Sequence, residues 1–167
     1  MKRRHFLHAL ALTAPLVASG CLYGFSGGGL PRHVRTVAII PFDNETASVD
    51  LPRELGEALR DGMERRLGLR PATEEKADAI VRGKIQRFEI DIPVAVSADR
   101  QGSTSARRRL AIAVDVELVD QKDGTVLWSK TGIVAEGEYA ERAEAAGRKQ
   151  AIDRIVSDVI EGALSQW

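Results

Sequence analysis

Leu51, Leu55, Leu59, Met63 and Leu67 recur at every fourth position, with Ala58 beside them. Arg53, Glu54, Glu57, Arg60, Asp61 and Glu64 take the opposite side. That spacing predicts an amphipathic helix over residues 51–68 with one face packed. Asp50 is placed to cap its start, Pro52 is tolerated in the first turn, and Gly68 can end it. A second stripe, Ile152, Ile155, Val156, Val159, Ile160 and Leu164, predicts a helix over 138–165 whose apolar side is core. Arg148, Lys149, Asp153, Arg154, Asp158 and Glu161 lie opposite it, and Gly147 weakens its first half.

Between the helices the period changes to two. In "RRRLAIAVDVELVD" (107–120), Leu110, Ile112, Val114, Val116 and Leu118 share one face, and Ala111, Ala113, Asp115 and Glu117 the other. A turn at Asp123-Gly124 leads into "TVLWSKTGIVAEG" (125–137), so 107–137 reads as a long antiparallel hairpin. On its second strand Trp128 is expected to face the same way as Val126 and Val134, toward the core. "VRTVAIIPF" (34–42) reads as a short buried strand ended by Pro41, and "DNETASVD" (43–50) as loop. In "ADAIVRGKIQRFEI" (77–90), Ala79, Val81, Gly83 and Ile85 alternate, then the phase slips before Phe88, which predicts a bulge near Gln86. Residues 91–105 read as a long connection. The order is β-α-β-β-β-α. Two helical stripes need one shared surface, so the expected fold is α+β: a two-layer sandwich, a four-stranded mixed sheet with both helices on one face. The other sheet face is left to solvent or to a partner.

Composition narrows the chemistry. A chain of 167 residues with 44% apolar content supports one domain with a real core. Basic and acidic residues are equal at 24 each, so no nucleic-acid partner is expected. The three histidines, His5, His8 and His33, lie near the N-terminus, outside the periodic segments, and Cys21 is the single cysteine. The domain then lacks the commonest general base, metal ligand and nucleophile. No catalytic residue, metal site or cofactor is expected, and the protein reads as a non-enzyme.

The N-terminus carries a different message. Lys2, Arg3 and Arg4 precede "FLHALALTAPLV" (6–17), and Ala18, Ser19 and Gly20 are small. A basic start, a short apolar run and small residues form a secretory signal. At about 12 residues the run is too short to span a bilayer. "ASGC" (18–21) resembles a bacterial lipobox, with Ala18 where Leu is usual. Residues 1–20 are therefore read as a lipoprotein signal peptide, and 21–33 as a lipidated Cys21 with a glycine-rich flexible tether. Residues 34–167 form a single domain. Acyl chains on Cys21 give stable anchoring at about 0.8 kcal/mol per buried methylene. Leu22 is not the Asp that resembles an inner-membrane retention signal, so outer-membrane placement is expected. "RRHFL" (3–7) is similar to the twin-arginine export motif, although a basic start also suits general secretion. Loss of residues 1–20 leaves 21 basic against 24 acidic residues.

"CLYGFSGGGLPRHVRTVAIIPFDNET" (21–46) resembles the start of LptE-type lipopolysaccharide-assembly lipoproteins. The shared features are the lipidated Cys, an aromatic patch, a glycine-rich tether, a Leu-Pro step, and a strand ending in Pro41, Asn44 and Thr46. The hairpin "VDVELVDQKDGTVLWSKTG" (114–132) is also similar. The resemblance implies a two-helix, four-strand sandwich without catalysis. It implies that the protein plugs an outer-membrane β-barrel translocon, LptD, helps assemble it, and helps deliver lipopolysaccharide to the outer leaflet. The partners implied are that barrel, lipopolysaccharide, and the membrane through the lipid anchor. "VAIIPFDNETASVDLPRELGEALRDGMERRL" (37–67) also looks like the opening of LpoB- and CsgG-like periplasmic lipoproteins, an alternative of the envelope-regulator or secretion type.

A phosphorylated glycolipid calls for cations that clamp phosphate, and arginine presents a planar fork of donors. Arg107, Arg108 and Arg109 form the only basic triplet after the signal, with Arg100 in the preceding connection. Alternation puts Arg108 on the Leu110 side and Arg107 with Arg109 on the other. The bland alternative is a charged strand end that discourages aggregation. The lipobox reading predicts that mass spectrometry of protein from its native membrane finds an acylated N-terminal peptide starting at Cys21. A free thiol at Cys21 would remove the anchor.

Overall fold

The computed structural model describes residues 29–93, 97–98, 104–105, 107–140 and 142–165, with the side chains at 91, 93, 97, 98, 104 and 105 outside that description. The elements are β1 (Thr36–Ile39), β2 (Asp43–Asn44), α1 (Leu51–Leu67), β3 (Arg70–Pro71), a 3-10 turn (Glu74–Lys76) and β4 (Ala79–Pro93). They continue with β5 (Ser97–Ala98), β6 (Thr104–Ser105), β7 (Arg107–Asp120), β8 (Val126–Ala140) and α2 (Glu144–Ser165). The sheet runs β3-β1-β4-β7-β8, with β2 also on β4, and β5 pairs β6 separately. Parallel pairing joins β1 and β2 to β4, and antiparallel pairing joins β4, β7 and β8. The four expected strands of the α+β sandwich are β1, β4, β7 and β8, and the two-residue β2 and β3 extend the mixed sheet to six.

Both helical stripes cover one sheet face. Leu51, Leu55, Leu59 and Met63 of α1 are fully buried, as are Ile155, Val159 and Ile160 of α2. They meet Ala79, Val81 and Ile85 of β4 and Leu110, Ile112, Val114, Val116 and Leu118 of β7 in one cluster. A buried Leu or Ile contributes about 1.5–3 kcal/mol each, so this layer is the main source of stability. Arg148 Nε meets Glu54 of α1 at 2.7 Å and its Nη1 meets Glu144 at 3.0 Å, fastening the start of α2 to α1. Glu54 and Glu144 together raise the Arg148 pKa above its ordinary value, Glu54 contributing most. At the start of α1, Asp50 occupies the cap position but makes no capping bond. Gly68 ends the helix in the left-handed conformation at φ 68°.

Several boundaries differ from the sequence reading. The bulge expected near Gln86 is present, and a second register shift lies between Glu89 and Ile92, so β4 continues to Pro93 instead of ending near Ile90. Asp43–Asn44 is paired to β4 and is not simply loop. β8 runs to Ala140, and α2 starts only at Glu144, not within 138–143. Leu164 is 41% exposed, and Ala163 takes its place in the core. The shared facing of Val126, Trp128 and Val134 is corrected too. Trp128 is buried at 5%, whereas Val126 and Val134 are 46% and 56% exposed. The reason is two bulges in β8. Leu127 is an extra residue between the Val119↔Val126 and Leu118↔Trp128 pairs, and Thr131-Gly132 oppose Asp115 alone. Each bulge resets the alternation.

Two glycine contacts seat α2 on β8. The backbone of Gly147 lies on Gly137, with the Tyr139 ring alongside, and the Trp128 indole lies on Gly162. A side chain at Gly137 would meet helix backbone, which cannot swing aside. Gly147 therefore has a packing role that outweighs its low helix propensity. We expect Gly137→Ala to destabilise the domain by about 1–3 kcal/mol through overpacking, read as a lower melting temperature with unchanged far-UV circular dichroism below the transition.

Candidate functional site

The chain docks on the domain before the first strand begins. Leu30 packs on the core, Val34 is buried, and the Val34 N–H closes a turn on the Pro31 carbonyl. His33 Nε2 meets Asp120 Oδ2 at 2.5 Å. Asp120 is 2% exposed and is the one buried charged residue among those described. Its other oxygen accepts the Lys122 N–H at 2.9 Å, and its backbone closes the hairpin turn with Gly124 and Thr125. Next to it, Asp78 Oδ2 accepts the N–H groups of Arg35 and Thr36 and the Thr36 hydroxyl. Those bonds, led by the Arg35 N–H, hold the Asp78 carboxyl below the usual carboxylate range. His33 thus belongs to the folded domain, contrary to the sequence reading. A signal was present: Asp120 continues the inward parity of Val114, Val116 and Leu118. A carboxylate at a core position needs a donor.

The arginine triplet sits at the other end of the sheet. From Arg109 to Asp120 is eleven residues of β7, about 35 Å of strand. Arg107 and Arg109 point to the outer face, as the alternation predicts, and Arg108 is half-buried on the inner side opposite Tyr139. Arg109 Nη1 pairs with Glu136 at 3.1 Å and Arg107 Nη1 with Glu138 at 3.7 Å. Arg109 Nε is buried without a hydrogen-bond partner, the one such side-chain atom among the described residues. The pairs continue along the outer face as Arg87–Glu89, Lys84–Glu45 and Arg82–Glu117. That face is charged and laced with exposed ion pairs, each worth little for stability. Arg100 and Cys21 lie outside the described residues, as does the whole signal and most of the tether.

Asn44 and Thr46 fold their own loop. Asn44 Oδ1 accepts the Thr46 N–H and hydroxyl, and Asn44 Nδ2 donates to the Ser48 carbonyl. Ser48 N–H donates to Thr46 Oγ1 at 3.2 Å. These bonds turn the chain from β2 into α1, while Pro41 sets Phe42 into the core. The Pro-Phe-x-Asn-x-Thr stretch is thus a folding device in this chain.

A sandwich of this order, with a buried Phe42 after Pro41 and a long central hairpin, can be placed among known proteins. The LptE family, described as Lipopolysaccharide-assembly, matches residues 34–161. The chain belongs to the LptE family. It is accordingly a lipopolysaccharide-assembly protein of a non-enzymatic lipoprotein family. Two solved structures share the fold of this LptE-family chain. The PelC dodecamer from Paraburkholderia phytofirmans is 16% identical, covering 79% of this chain and 92% of that one, with a TM-score of 0.51. The hypothetical protein CT253 from Chlamydia trachomatis is 10% identical, covering 77% and 96%, with a TM-score of 0.50. No curated protein matches the chain. No described helix is long and apolar enough to cross a membrane.

Two measurements test the tether end. His33→Ala removes the side-chain partner of a buried carboxylate and is expected to cost about 1–3 kcal/mol in chemical denaturation. For Asp78, the depressed carboxyl contributes stability that is fully present above the ordinary value of about 3.9 and is lost as pH falls through the lowered one. Asp78→Asn should therefore be less stable than the parent near neutral pH, with the gap closing in acid. A gap that is constant with pH would count against the assignment.

Proposed function

We propose that this LptE-family chain is an outer-membrane lipoprotein held by acyl chains on Cys21. In this reading it faces the periplasm or the lumen of an LptD-type β-barrel, assists assembly of that barrel, plugs it, and helps deliver lipopolysaccharide to the outer leaflet. The family match over residues 34–161 carries the reading. The geometry supports it in two ways. The segment leading from Cys21 enters at the His33–Asp120 end, so the anchor tethers that end of the sheet. The triplet Arg107, Arg108 and Arg109 then stands about 35 Å along the strands, away from the anchored end, with Arg100 in the adjoining connection. Cations there would meet a phosphorylated glycolipid inside a partner, not in the leaflet that holds the anchor.

The arginines serve as phosphate contacts in this account. The glutamates paired to Arg107 and Arg109 are exposed and exchangeable, so the outer ends of both guanidinium groups can change partner. Gentle-detergent purification of the lipidated protein is expected to bring down a large outer-membrane barrel. Copurification of a penicillin-binding protein instead would favour the LpoB-like alternative. Charge reversal of Arg107 and Arg109 is expected to weaken lipopolysaccharide binding about tenfold or more while leaving barrel copurification intact. Unchanged lipopolysaccharide binding would remove the phosphate contacts and leave the plug standing.

A further inference from the structure

Left-handed backbone falls on glycine at three bends of this chain. Gly68 ends α1 at φ 68°, Gly124 closes the hairpin turn at φ 74°, and Gly132 sits in the second β8 bulge at φ 64°. None carries the Cβ that makes such a backbone costly. Among the described residues one side chain stands in that region, Arg142 at φ 69°. It lies in the short turn from β8 to α2, which the Ala143 N–H closes on the Ala140 carbonyl at 2.9 Å. The turn accounts for the bend. It does not account for the arginine, because glycine would make the same bend without strain.

Nothing inside the domain uses the side chain either. Arg142 is exposed and makes no side-chain hydrogen bond or ion pair with the described residues. Glu144, at the start of α2, is already held by Arg148 at 3.0 Å. The place of Arg142 in the sheet is more informative. Ala140 is in register with Arg107, so Arg142 stands two residues beyond the partner of the first arginine of the triplet. Neighbouring strands lie about 4.8 Å apart and two residues span about 7 Å, which puts the two backbones on the order of 8 Å apart. Two arginine side chains that close can meet on one anion. Arg107 is free to turn to it, since its contact with Glu138 is a long 3.7 Å between exposed groups. Side chains on left-handed backbone recur where proteins grip ligands.

We propose that Arg142 is a phosphate contact, acting with Arg107 on one phosphate group of a phosphorylated glycolipid, and that its left-handed turn is kept at a cost in stability to hold it there. This rests on the phosphate role given to the triplet above. Each guanidinium presents a planar fork of donors, so two of them from adjacent positions satisfy a phosphate on two sides. Glycine at this position would fold better and bind worse.

The test uses the full-length lipidated chain in detergent. The probes are purified lipopolysaccharide and the same material after phosphatase treatment. Arg142→Gly is expected to melt about 1–4 °C above the wild type. It is expected to bind the phosphorylated probe about three- to tenfold more weakly, and the dephosphorylated probe as the wild type does. Arg142→Lys keeps the charge and the strained backbone, so it should recover part of the binding without the gain in melting temperature. Inorganic phosphate in large excess is expected to leave the phosphorylated probe in place; full displacement would assign the site to a free anion and overturn the glycolipid. A glycine variant that binds as tightly as the wild type overturns the proposal, as does one that melts lower. Equal loss on both probes overturns it too. If charge reversal of Arg107 and Arg109 weakens binding and Arg142→Gly does not, the triplet stands and this contact falls. A wild type that does not bind lipopolysaccharide at all removes the triplet reading, and this one with it.

Discussion

Where the first turns of α2 pass over β8, there is room for hydrogen atoms and nothing larger. Gly137 and Gly147 meet backbone to backbone, and about four turns further on the Trp128 indole lies on Gly162. These two close approaches fix both the height and the direction of α2 over the sheet. With α2 placed, Ile155, Val159 and Ile160 fall onto the inward rows of β7 and β8, and Arg148 is within reach of Glu54 on α1. The two-layer arrangement follows from that seating. Core contacts are individually small and collectively large, but they are made only if the helix can come this close.

The same seating decides what the rest of the surface can do. Because α2 lies along the outermost long strand, its polar flank meets the edge of the sheet instead of open water. The opposite sheet face is left with alternating charges that satisfy one another.

The molecule is also polarised along its strands. One end holds the entering chain through a buried carboxylate and its histidine, and the other presents arginines. Removing the side-chain partner of a buried carboxylate leaves that carboxylate unsatisfied, which is costly. Asp120 therefore makes His33 hard to lose, and with it the docking of the chain just ahead of β1.

Local patterning in the sequence was enough to specify the two helices, the three long strands and the short β1, the turn at Asp123-Gly124 and the irregularity at Gln86. In each case residues within a few positions of one another carry the physics: period four, period two, a glycine at positive φ, a slip in alternation. The outward facing of Arg107 and Arg109 was legible for the same reason. Other features depended on tertiary contact between distant positions. His33 and Asp120 are 87 residues apart. The bulges that turn Val126 and Val134 outward arise from pairing with β7, and the role of Gly147 exists only because Gly137 lies beneath it. The hydrogen bonds that join Gln150 and Arg154 to β8 likewise require knowing which strand lies at the edge. Periodicity reports which face of an element is apolar, but the partner of a polar group is set by where the folded chain brings it.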